Sequence, residues 1–494
     1  MAQTRAAGRW LVYILMTVSL AAAVFLKGGK PAGQWEWSAL GISIAAVLAL
    51  LPSPKSEERT PVEPIGFGIM VLLAGWMLLQ IAPLPPAMLN WIAPIRWQAI
   101  EAARKATGEP LGTWAALSAA PAASFAKLLD VFPAMAALVA AREMAWWWRD
   151  RISIVLAPVV VVAGIESVIG LFQFTLGRES GAGAGANGAL VTGTYGYHNH
   201  FSGLLEMALP IAAAWAAWVW RKGTSRIRQP MAPALKTAAL MGVATCLLLG
   251  IVVSLSRMGF VSTVVAALVT SFAVLLTPRE SAAARSGERR WLWGVAVVLV
   301  TFALLIFLTP KELVARFGEL SNEDTVSQND RVKMWVDAVR LISTSSWTGV
   351  GVGAFEHGLY RFKVSMPLNT IDYAHNDYLQ FLAELGIIGT ALMAAMTFWI
   401  LTKVTRTALW RRSSPNWEFS VGILAVFLTL ALHSIVDFNF YLPANALVMA
   451  WIAGVAVSPG LSGVGTRIGH REATGLPVRR RRSGSGTSRA PGAG

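Results

Sequence analysis

Long apolar segments alternate with short polar ones along most of the sequence. An α-helix needs roughly 20 apolar residues to cross the hydrocarbon of a bilayer, and segments near that length recur along the chain. A helix also satisfies its own backbone polar groups, as the bilayer interior requires. The pattern predicts about twelve membrane-spanning helices, near residues 10–26, 36–52, 65–83, 131–147, 152–175, 201–220, 237–256, 258–277, 291–309, 378–402, 419–435 and 442–458.

The composition agrees with this pattern. Of 494 residues, 55% are hydrophobic and 14% are charged, and the mean hydropathy is +0.54. A soluble domain of this size cannot bury so much apolar surface. No small-residue cleavage pattern follows Leu26, so we expect the first apolar segment to remain as a helix. We therefore predict an all-α polytopic membrane protein with a small helical region outside the membrane between the ninth and tenth spans.

The basic residues follow the membrane. A net charge of +15 suggests nucleic acid in a soluble protein, but here most of the 42 Lys and Arg residues fall into alternate segments between spans. Cytoplasmic loops carry such an excess. We therefore predict a multi-pass membrane protein with both termini in the cytoplasm and no nucleic-acid partner. The richest loops contain Arg142/Arg149/Arg151, Arg221/Lys222/Arg226/Arg228/Lys236, Arg279/Arg285/Arg289/Arg290 and Lys403/Arg406/Arg411/Arg412.

Two long segments, 84–130 and 310–377, then face outward. The first contains prolines and tryptophans typical of structure that lies along the headgroups. We predict five units: the first spans with this outer segment (1–130), the spans that carry the first polar motifs (131–309), the outer loop region (310–377), the last spans (378–458) and a disordered basic tail (459–494).

Polar motifs collect at the outer ends of the spans. The first contains His198 and His200 just ahead of the sixth span. Two histidines can bind a metal, but two residues apart they form a poor chelate on a helix, and no Cys or carboxylate adjoins them. Hydrogen bonding or a structural role is the other interpretation. We expect neither a metal nor a cofactor.

Arg257 is an isolated charge in a long apolar stretch, which is costly in lipid. It can extend to the outer interface as an anchor. The neighbouring Ser254, Ser256 and Gly259 instead favour a tight polar helix break that faces a cavity. A guanidinium there would bind phosphate oxygens in a bidentate manner.

The outer loop region contains Arg331 at a predicted helix start, followed by the glycine run 347–355. By itself Arg331 is either a surface ion-pair residue or an anion ligand. The glycine run follows no strand of a βαβ unit, so it does not indicate a dinucleotide fold. A tight turn that brings the backbone close to a ligand is the simpler interpretation.

His375 lies at the lip of the tenth span with Asp372, Asn376 and Asp377 nearby. A histidine in such surroundings is either structural or a general base, because its ordinary pKa is close to neutral. His433 and Asp437 are four residues apart at the end of the eleventh span, which predicts that they pair as a structural latch.

Together these motifs resemble the O-antigen ligase and O-antigen polymerase superfamily of bacterial membrane glycosyltransferases. The similarity extends from about residue 150 to 458, while the first three spans fit by hydropathy alone. The segments that carry the resemblance are Gly193–His200, Ser256–Gly259, Asp330–Arg331, Trp347–Gly351, His375–Leu379, His433–Phe440 and Pro443–Ala446.

The resemblance implies transfer of a glycan from undecaprenyl diphosphate to an acceptor hydroxyl at the periplasmic face, without a metal. His375 would be the base. Arg257 and Arg331 would hold the diphosphate, with Arg361 and Lys363 as weaker candidates. The supporting polar residues would be His198, His200, Asn376 and Asp377. The acceptor would be lipid A–core, a glycan repeat unit or a protein hydroxyl. Attack from the opposite face would invert the sugar, and no pair of outward carboxylates at glycosidase-like positions is evident.

Two other classes remain open at this point. One is a transporter, either a flippase for lipid-linked glycans or a small-solute carrier. Inverted repeats are not apparent in the sequence, and the polar residues collect at the outer lip rather than near the midplane. The other is a structural scaffold in an envelope complex, which would leave Arg257 and His375 without a role.

Overall fold

The computed structural model describes residues 2–30, 32–51, 60, 63–179, 191–224, 231–276, 326–364 and 370–462. Its helices are α1 Ala2–Phe25, α2 Ala32–Leu50, α3 Pro64–Ile81, α4 Pro86–Ile92, α5 Pro94–Thr107, α6 Pro121–Trp147, α7 Ile152–Glu179, α8 His198–Thr224, α9 Met231–Val253, α10 Arg257–Leu276, α11 Val326–Thr344, α12 Phe355–Leu359, α13 Asp377–Trp410, α14 Trp417–His433 and α15 Pro443–Val457. Short 3₁₀ turns cover Lys27–Gly29 and Asn439–Tyr441. Two two-residue strands, β1 Pro83–Leu84 and β2 Ala115–Ala116, pair antiparallel.

The helical architecture confirms the predicted fold class. Among the described residues, 7 helices are long and apolar enough to cross a membrane, and α10, α14 and α15 are shorter apolar helices. Each predicted span coincides with a helix, except the predicted span 291–309, which lies outside the described residues. The protein is therefore an all-α polytopic membrane protein.

Helix α6 is longer than the hydropathy predicted. It begins at Pro121 rather than near residue 131, so the outer segment ends before this proline. Proline is favoured in the first turn of a helix because its φ is already helical and its missing N–H is not needed there. The first turns of α6 carry Lys127 and Asp130, which form an ion pair at 2.9 Å. These charges lowered the local hydropathy and hid the continuous helix.

The outer segment between α3 and α6 folds into α4, α5 and the β1–β2 pair. Leu84, Leu89 and Leu117 are buried at its centre, whereas the Trp91 and Trp114 side chains are 84% and 62% exposed. Exposed tryptophans on an otherwise folded segment are typical of contact with a membrane interface. The observed exposure therefore agrees with the prediction that this segment lies along the headgroups.

The bundle is built around α8 and α15. Helix α8 packs against α9 and α14, and α15 packs against α6. The core between them is largely apolar, and several of the buried polar side chains in it are hydrogen-bonded. Trp451 of α15, for example, is fully buried and donates its indole N–H to the Val155 carbonyl at 2.9 Å.

Helix α13 is interrupted at Gly386, whose φ is 66° and ψ is −173°. The glycine run beyond α11 fits into this interruption. The Val350 N–H donates to the Ala383 carbonyl at 2.8 Å, and the Gly351 N–H donates to the Glu384 carbonyl at 3.0 Å. Non-helical backbone inside a membrane protein requires such partners, because lipid supplies none. The glycine run therefore supports the fold, as the tight-turn interpretation anticipated, and completes the hydrogen bonding of α13.

Candidate functional site

A cavity of about 1000 Å³ lies where α8, α13 and α15 begin and α14 ends, which we call the outer end of the bundle. Its wall is formed by the α1–α2 turn, the first turns of α6, helices α11 and α12, and the α14–α15 connection. The charged or titratable residues that line it are Lys30, Glu36, Lys127, Asp130, Arg331, Glu356, Asp372, Tyr373, His375, Glu384 and Tyr441.

His375 lies immediately before α13 and is held in an unusual backbone conformation. Its φ is 49°, a left-handed value that costs a non-glycine residue on the order of 1–3 kcal/mol. Two hydrogen bonds fix the preceding residue. The Ala374 carbonyl accepts from the Trp335 indole N–H at 2.9 Å, and the Ala374 N–H donates to Gln380 Oε1 at 2.6 Å. The surrounding structure therefore fixes the direction of the His375 side chain.

Asn376 and Asp377 anchor the start of α13. The Asn376 side chain caps the helix by accepting from the Leu379 N–H at 3.0 Å, which is a favoured arrangement at a helix N-terminus. Asp377 is fully buried, and its Oδ2 accepts from Ser434 Oγ at 2.7 Å. Both side chains thus position the segment that carries His375, and neither is among the described residues that line the cavity.

A buried carboxylate, Asp437, faces His375. The distance from His375 Nδ1 to Asp437 Oδ1 is 3.8 Å, which is within ion-pair range but longer than a hydrogen bond. Burial by itself raises the pKa of a carboxyl group, but the adjacent His375, His200 and His433 side chains lower the pKa of Asp437 below its ordinary value. Asp437 is therefore ionised near neutral pH, and its negative charge faces the His375 ring.

His200 lies behind Asp437, away from the cavity wall. It is fully buried, and its ring meets the Tyr197 and Phe438 rings edge-on, each with centroids 4.7 Å apart. Its Nε2 is 3.8 Å from Asp437 Oδ1. His200 thus contacts the carboxylate that faces His375, which sequence spacing did not reveal.

His198 takes a different direction from His200. Its ring stacks on Tyr197 at 5.1 Å, and its Nδ1 pairs with Asn199 Oδ1 at 3.1 Å. Within the described part of the chain, no group of three or more His, Cys, Asp or Glu side chains is arranged to hold a metal ion. The two histidines therefore contact different partners, His198 with Asn199 and His200 with Asp437.

The predicted pairing of His433 with Asp437 is wrong. Helix α14 ends at His433, so Asp437 lies in the following turn, where it is within ion-pair distance of His200 and His375, although the charge of His433 still acts on it. His433 Nδ1 instead pairs with Glu206 Oε1 of α8 at 2.6 Å. Glu206 Oε2 accepts from Ser262 Oγ of α10 at 2.9 Å. His433 therefore takes part in a structural link, but this link joins α14, α8 and α10 rather than two residues of one turn.

Among the residues that the structure describes, three Lys or Arg side chains line the cavity, and the sequence motifs include one of them, Arg331. Arg331 of α11 donates from Nη1 to the Val436 carbonyl at 3.1 Å. Lys127 donates to Asp130 at 2.9 Å and to the Tyr441 carbonyl at 3.1 Å. Lys30 lies on the α1–α2 turn. A lysine in an otherwise apolar helix can be recognised in the sequence as a candidate functional residue, and Lys127 is such a lysine. The short turn around Lys30 has no comparable pattern.

Two carboxylates of the cavity wall, Asp130 and Glu384, are already engaged. Asp130 pairs with Lys127. Glu384 accepts from the Gly353 N–H at 2.6 Å, from Tyr441 Oη at 2.9 Å and from Gln380 at 2.8 Å. A carboxylate that accepts several hydrogen bonds is held in place and is a weak nucleophile. These acids therefore shape the cavity rather than offering a nucleophile.

Arg257 lies at the first position of α10. The Ser256 side chain caps this helix by accepting from the Gly259 N–H at 3.2 Å, and Leu255 has a φ of 55°. The break between α9 and α10 is therefore tight and polar, as predicted. Arg257 itself is not among the described residues that line the cavity.

Arg361 also lies away from the cavity wall. Its side chain is exposed beyond α12, and its guanidinium is 5.8 Å from the centroid of the Phe362 ring. Lys363 lies next to the Tyr360 ring at 5.8 Å. Of the predicted donor-binding residues, the cavity thus combines Arg331 with His375.

The family model described as O-antigen ligase matches residues 242–394. This region begins in α9, ends in α13 and contains Arg257, Arg331 and His375. The match confirms the resemblance that the motifs indicated. No curated protein matches the chain.

Proposed function

We propose that the chain transfers a glycan from undecaprenyl diphosphate to an acceptor hydroxyl. Support comes from residues 242–394, which match the family model described as O-antigen ligase. The transfer takes place at the periplasmic face of the inner membrane, in the biosynthesis of a surface polysaccharide. The acceptor is lipid A–core, a growing glycan repeat unit or a protein hydroxyl. The bilayer and the lipid-linked donor are the obligatory partners.

His375 acts as the base in this proposal. The acceptor oxygen attacks the anomeric carbon of the donor, the bond from that carbon to the diphosphate oxygen breaks, and the acceptor proton passes to His375. Asp437 then stabilises the imidazolium across the 3.8 Å gap. Such a base contributes roughly 10²–10⁴-fold to rate.

Cations of the chain stabilise the leaving diphosphate. When the anomeric bond breaks, its electron pair stays with the diphosphate, which gains one negative charge. Fixed cations directed at developing charge are an effective form of catalysis. Arg331 is the best placed of the predicted residues because it lines the same cavity as His375. Arg257 and Arg361 are further donor-binding candidates that would act from outside the observed wall.

The observation that carries the proposal is the position of a strained histidine beside a buried carboxylate, at a cavity that Arg331 also lines. A left-handed φ at His375 is costly, and backbone strain of this kind clusters at functional sites. A direct displacement from the opposite face inverts the anomeric configuration and needs no nucleophilic carboxylate. The engaged state of Asp130 and Glu384 agrees with that route.

Purified chain provides the test. With an undecaprenyl diphosphate glycan and a candidate acceptor, we expect transfer that persists in excess chelator, because the cations are supplied by the chain. Activity that disappears in chelator and returns with Mg²⁺ or Mn²⁺ would contradict the metal-free mechanism. Movement of the lipid-linked glycan across vesicles without any transfer would instead support the flippase alternative.

A further inference from the structure

The turn between α1 and α2 has three consecutive residues in the left-handed region, and one of them is not glycine. Lys27, Gly28 and Gly29 have φ values of 59°, 68° and 76°. The left-handed region is open to glycine but unfavourable for Lys27. A short loop that merely joins two helices does not need such a backbone, so the strain must be compensated by specific contacts.

Those contacts lock the turn onto two other parts of the outer end. A Cβ on Gly28 would lie 2.8 Å from Cδ1 of Tyr195, and one on Gly29 would lie 3.1 Å from Cβ of Pro443. Thr194 Oγ1 donates to the Val24 carbonyl at 3.0 Å. The turn is therefore pressed against the segment before α8 and the start of α15, where a side chain would not fit.

The locked turn presents Lys30 to the cavity. Lys30 itself has an ordinary φ of −63°, and it lines the same cavity as Arg331 and His375. Its Nζ lies 5.7 Å from the centroid of the Tyr197 ring. Across the parts of the chain that the structure describes, no carboxylate forms an ion pair with it, and the nearest acid to influence it is Asp437.

Tyr197 is influenced by the second cation as well. Burial raises the pKa of Tyr197 to about 12, the charge of Asp437 adds to this effect, and the charge of Arg331 opposes it. Lys30 and Arg331 thus approach one aromatic side chain from two unrelated parts of the chain. Lys30 and Arg331 therefore both lie near Tyr197, and both line the cavity.

We propose that Lys30 binds the diphosphate of the lipid-linked donor together with Arg331. This inference rests on the proposed function for the identity of the anion. A diphosphate ester carries two adjacent anionic groups, and two cations on one wall match them better than they match a single carboxylate. Lys30 lies outside the matched residues 242–394, so the N-terminal helices contribute directly to the site.

The role of Lys30 follows from the electron balance of transfer. As the anomeric carbon–oxygen bond breaks and the acceptor oxygen bonds to that carbon, the diphosphate gains one negative charge and the acceptor proton passes to His375. An ammonium that contacts the diphosphate stabilises both the bound donor and the departing group. Loss of Lys30 therefore raises KM for the donor and lowers kcat.

Binding of farnesyl diphosphate to full-length protein in detergent tests the assignment. We expect Lys30→Gln to weaken binding about tenfold, because a hydrogen bond to a charged group is lost. Lys30→Arg should stay within about threefold of wild type, since the charge remains. Lys27→Gln is the matched control: it lies in the same turn, is exposed, is not among the described lining residues and should bind normally.

Equal affinity of Lys30→Gln and wild type for farnesyl diphosphate would overturn the inference, as would the absence of saturable binding to wild type. Glucose 6-phosphate serves as a probe for a phosphorylated sugar acceptor. If Lys30→Gln weakened the binding of glucose 6-phosphate alone, the inference would also be overturned. Failure of the proposed function gives a different result. If the protein transfers no glycan but binds farnesyl diphosphate through Lys30, the anion site is supported and the proposed enzyme activity is not.

Discussion

His375 adopts a backbone conformation that histidine rarely takes, and its neighbours maintain it. Trp335 and Gln380 fix the peptide units of Ala374, and Asn376 caps the helix that follows. A side chain held in this way loses little entropy when it meets a substrate. The cost of the strained backbone is therefore offset by contacts that the fold makes before any ligand arrives.

Asp437→Asn tests whether Asp437 assists the transfer step or the binding of the donor. The amide keeps the shape of the side chain and its acceptor for the Phe438 N–H, 2.8 Å away, but it removes the charge that stabilises a protonated His375. We expect kcat to fall roughly 10²-fold with little change in donor KM. Steady-state transfer kinetics measure both, and a kcat within twofold of wild type would show that Asp437 is a structural residue.

Arg257→Lys keeps the positive charge at this position but changes the shape of the cationic group. A lysine presents a point charge and cannot reproduce the bidentate guanidinium fork, so we expect transfer to fall around 10²–10³-fold if Arg257 holds the donor. Arg340→Lys, where an exposed arginine pairs with the buried Asp337, is the control and should behave as wild type. Near-normal transfer by Arg257→Lys would reduce Arg257 to an anchor at the interface.

Among the elements, α13 depends most on a partner from another segment. Its interruption at Gly386 is filled by the glycine run of residues 349–353, and Gln80 of α3 donates to the Thr348 and Glu384 carbonyls at 2.7 and 2.8 Å. Three segments thus share one set of backbone hydrogen bonds. The first turns of α13, which carry Glu384 to the cavity, keep their place through this junction.

Gly386→Ala should weaken that junction. A Cβ there would lie 2.4 Å from the Trp347 carbonyl oxygen, and the φ of 66° is unfavourable for alanine. We expect a loss of stability on the order of 2 kcal/mol, seen as a lower unfolding temperature in detergent. Gly75→Ala of α3, where a Cβ meets nothing within 4 Å, is the control. Equal melting of the two variants would contradict the close contact.

On the scale of the whole molecule, the spans could be predicted because bilayer thickness fixes helix length. The cavity could not, because Lys30, Lys127, Arg331 and His375 come from four distant segments and hydropathy carries no information about which helices meet. The His433 error has a local cause. The predicted span ran to residue 435, whereas α14 ends at His433, and a shift of two residues was enough to misassign the partner.

The orientation of the whole chain remains a prediction from the Lys and Arg distribution. Alkaline phosphatase fused after Arg361 should be active, because the enzyme folds in the periplasm, and the same fusion after Arg411 should be inactive. Activity is compared at equal fusion abundance. An inactive fusion after Arg361 together with an active one after Arg411 would invert the topology and place His375 on the cytoplasmic side, away from the proposed acceptor.

The most direct measurement of the central claim is the glycan profile of cells that carry His375→Ala as their sole copy. His357→Ala is the matched control, since His357 is an exposed histidine of α12 and is not among the described residues that line the cavity. At normal membrane abundance, His375→Ala should accumulate lipid-linked glycan and lose the mature surface polysaccharide or glycoprotein, while His357→Ala resembles wild type. Normal amounts of every surface glycan in His375→Ala cells would contradict the assignment of His375 as the base.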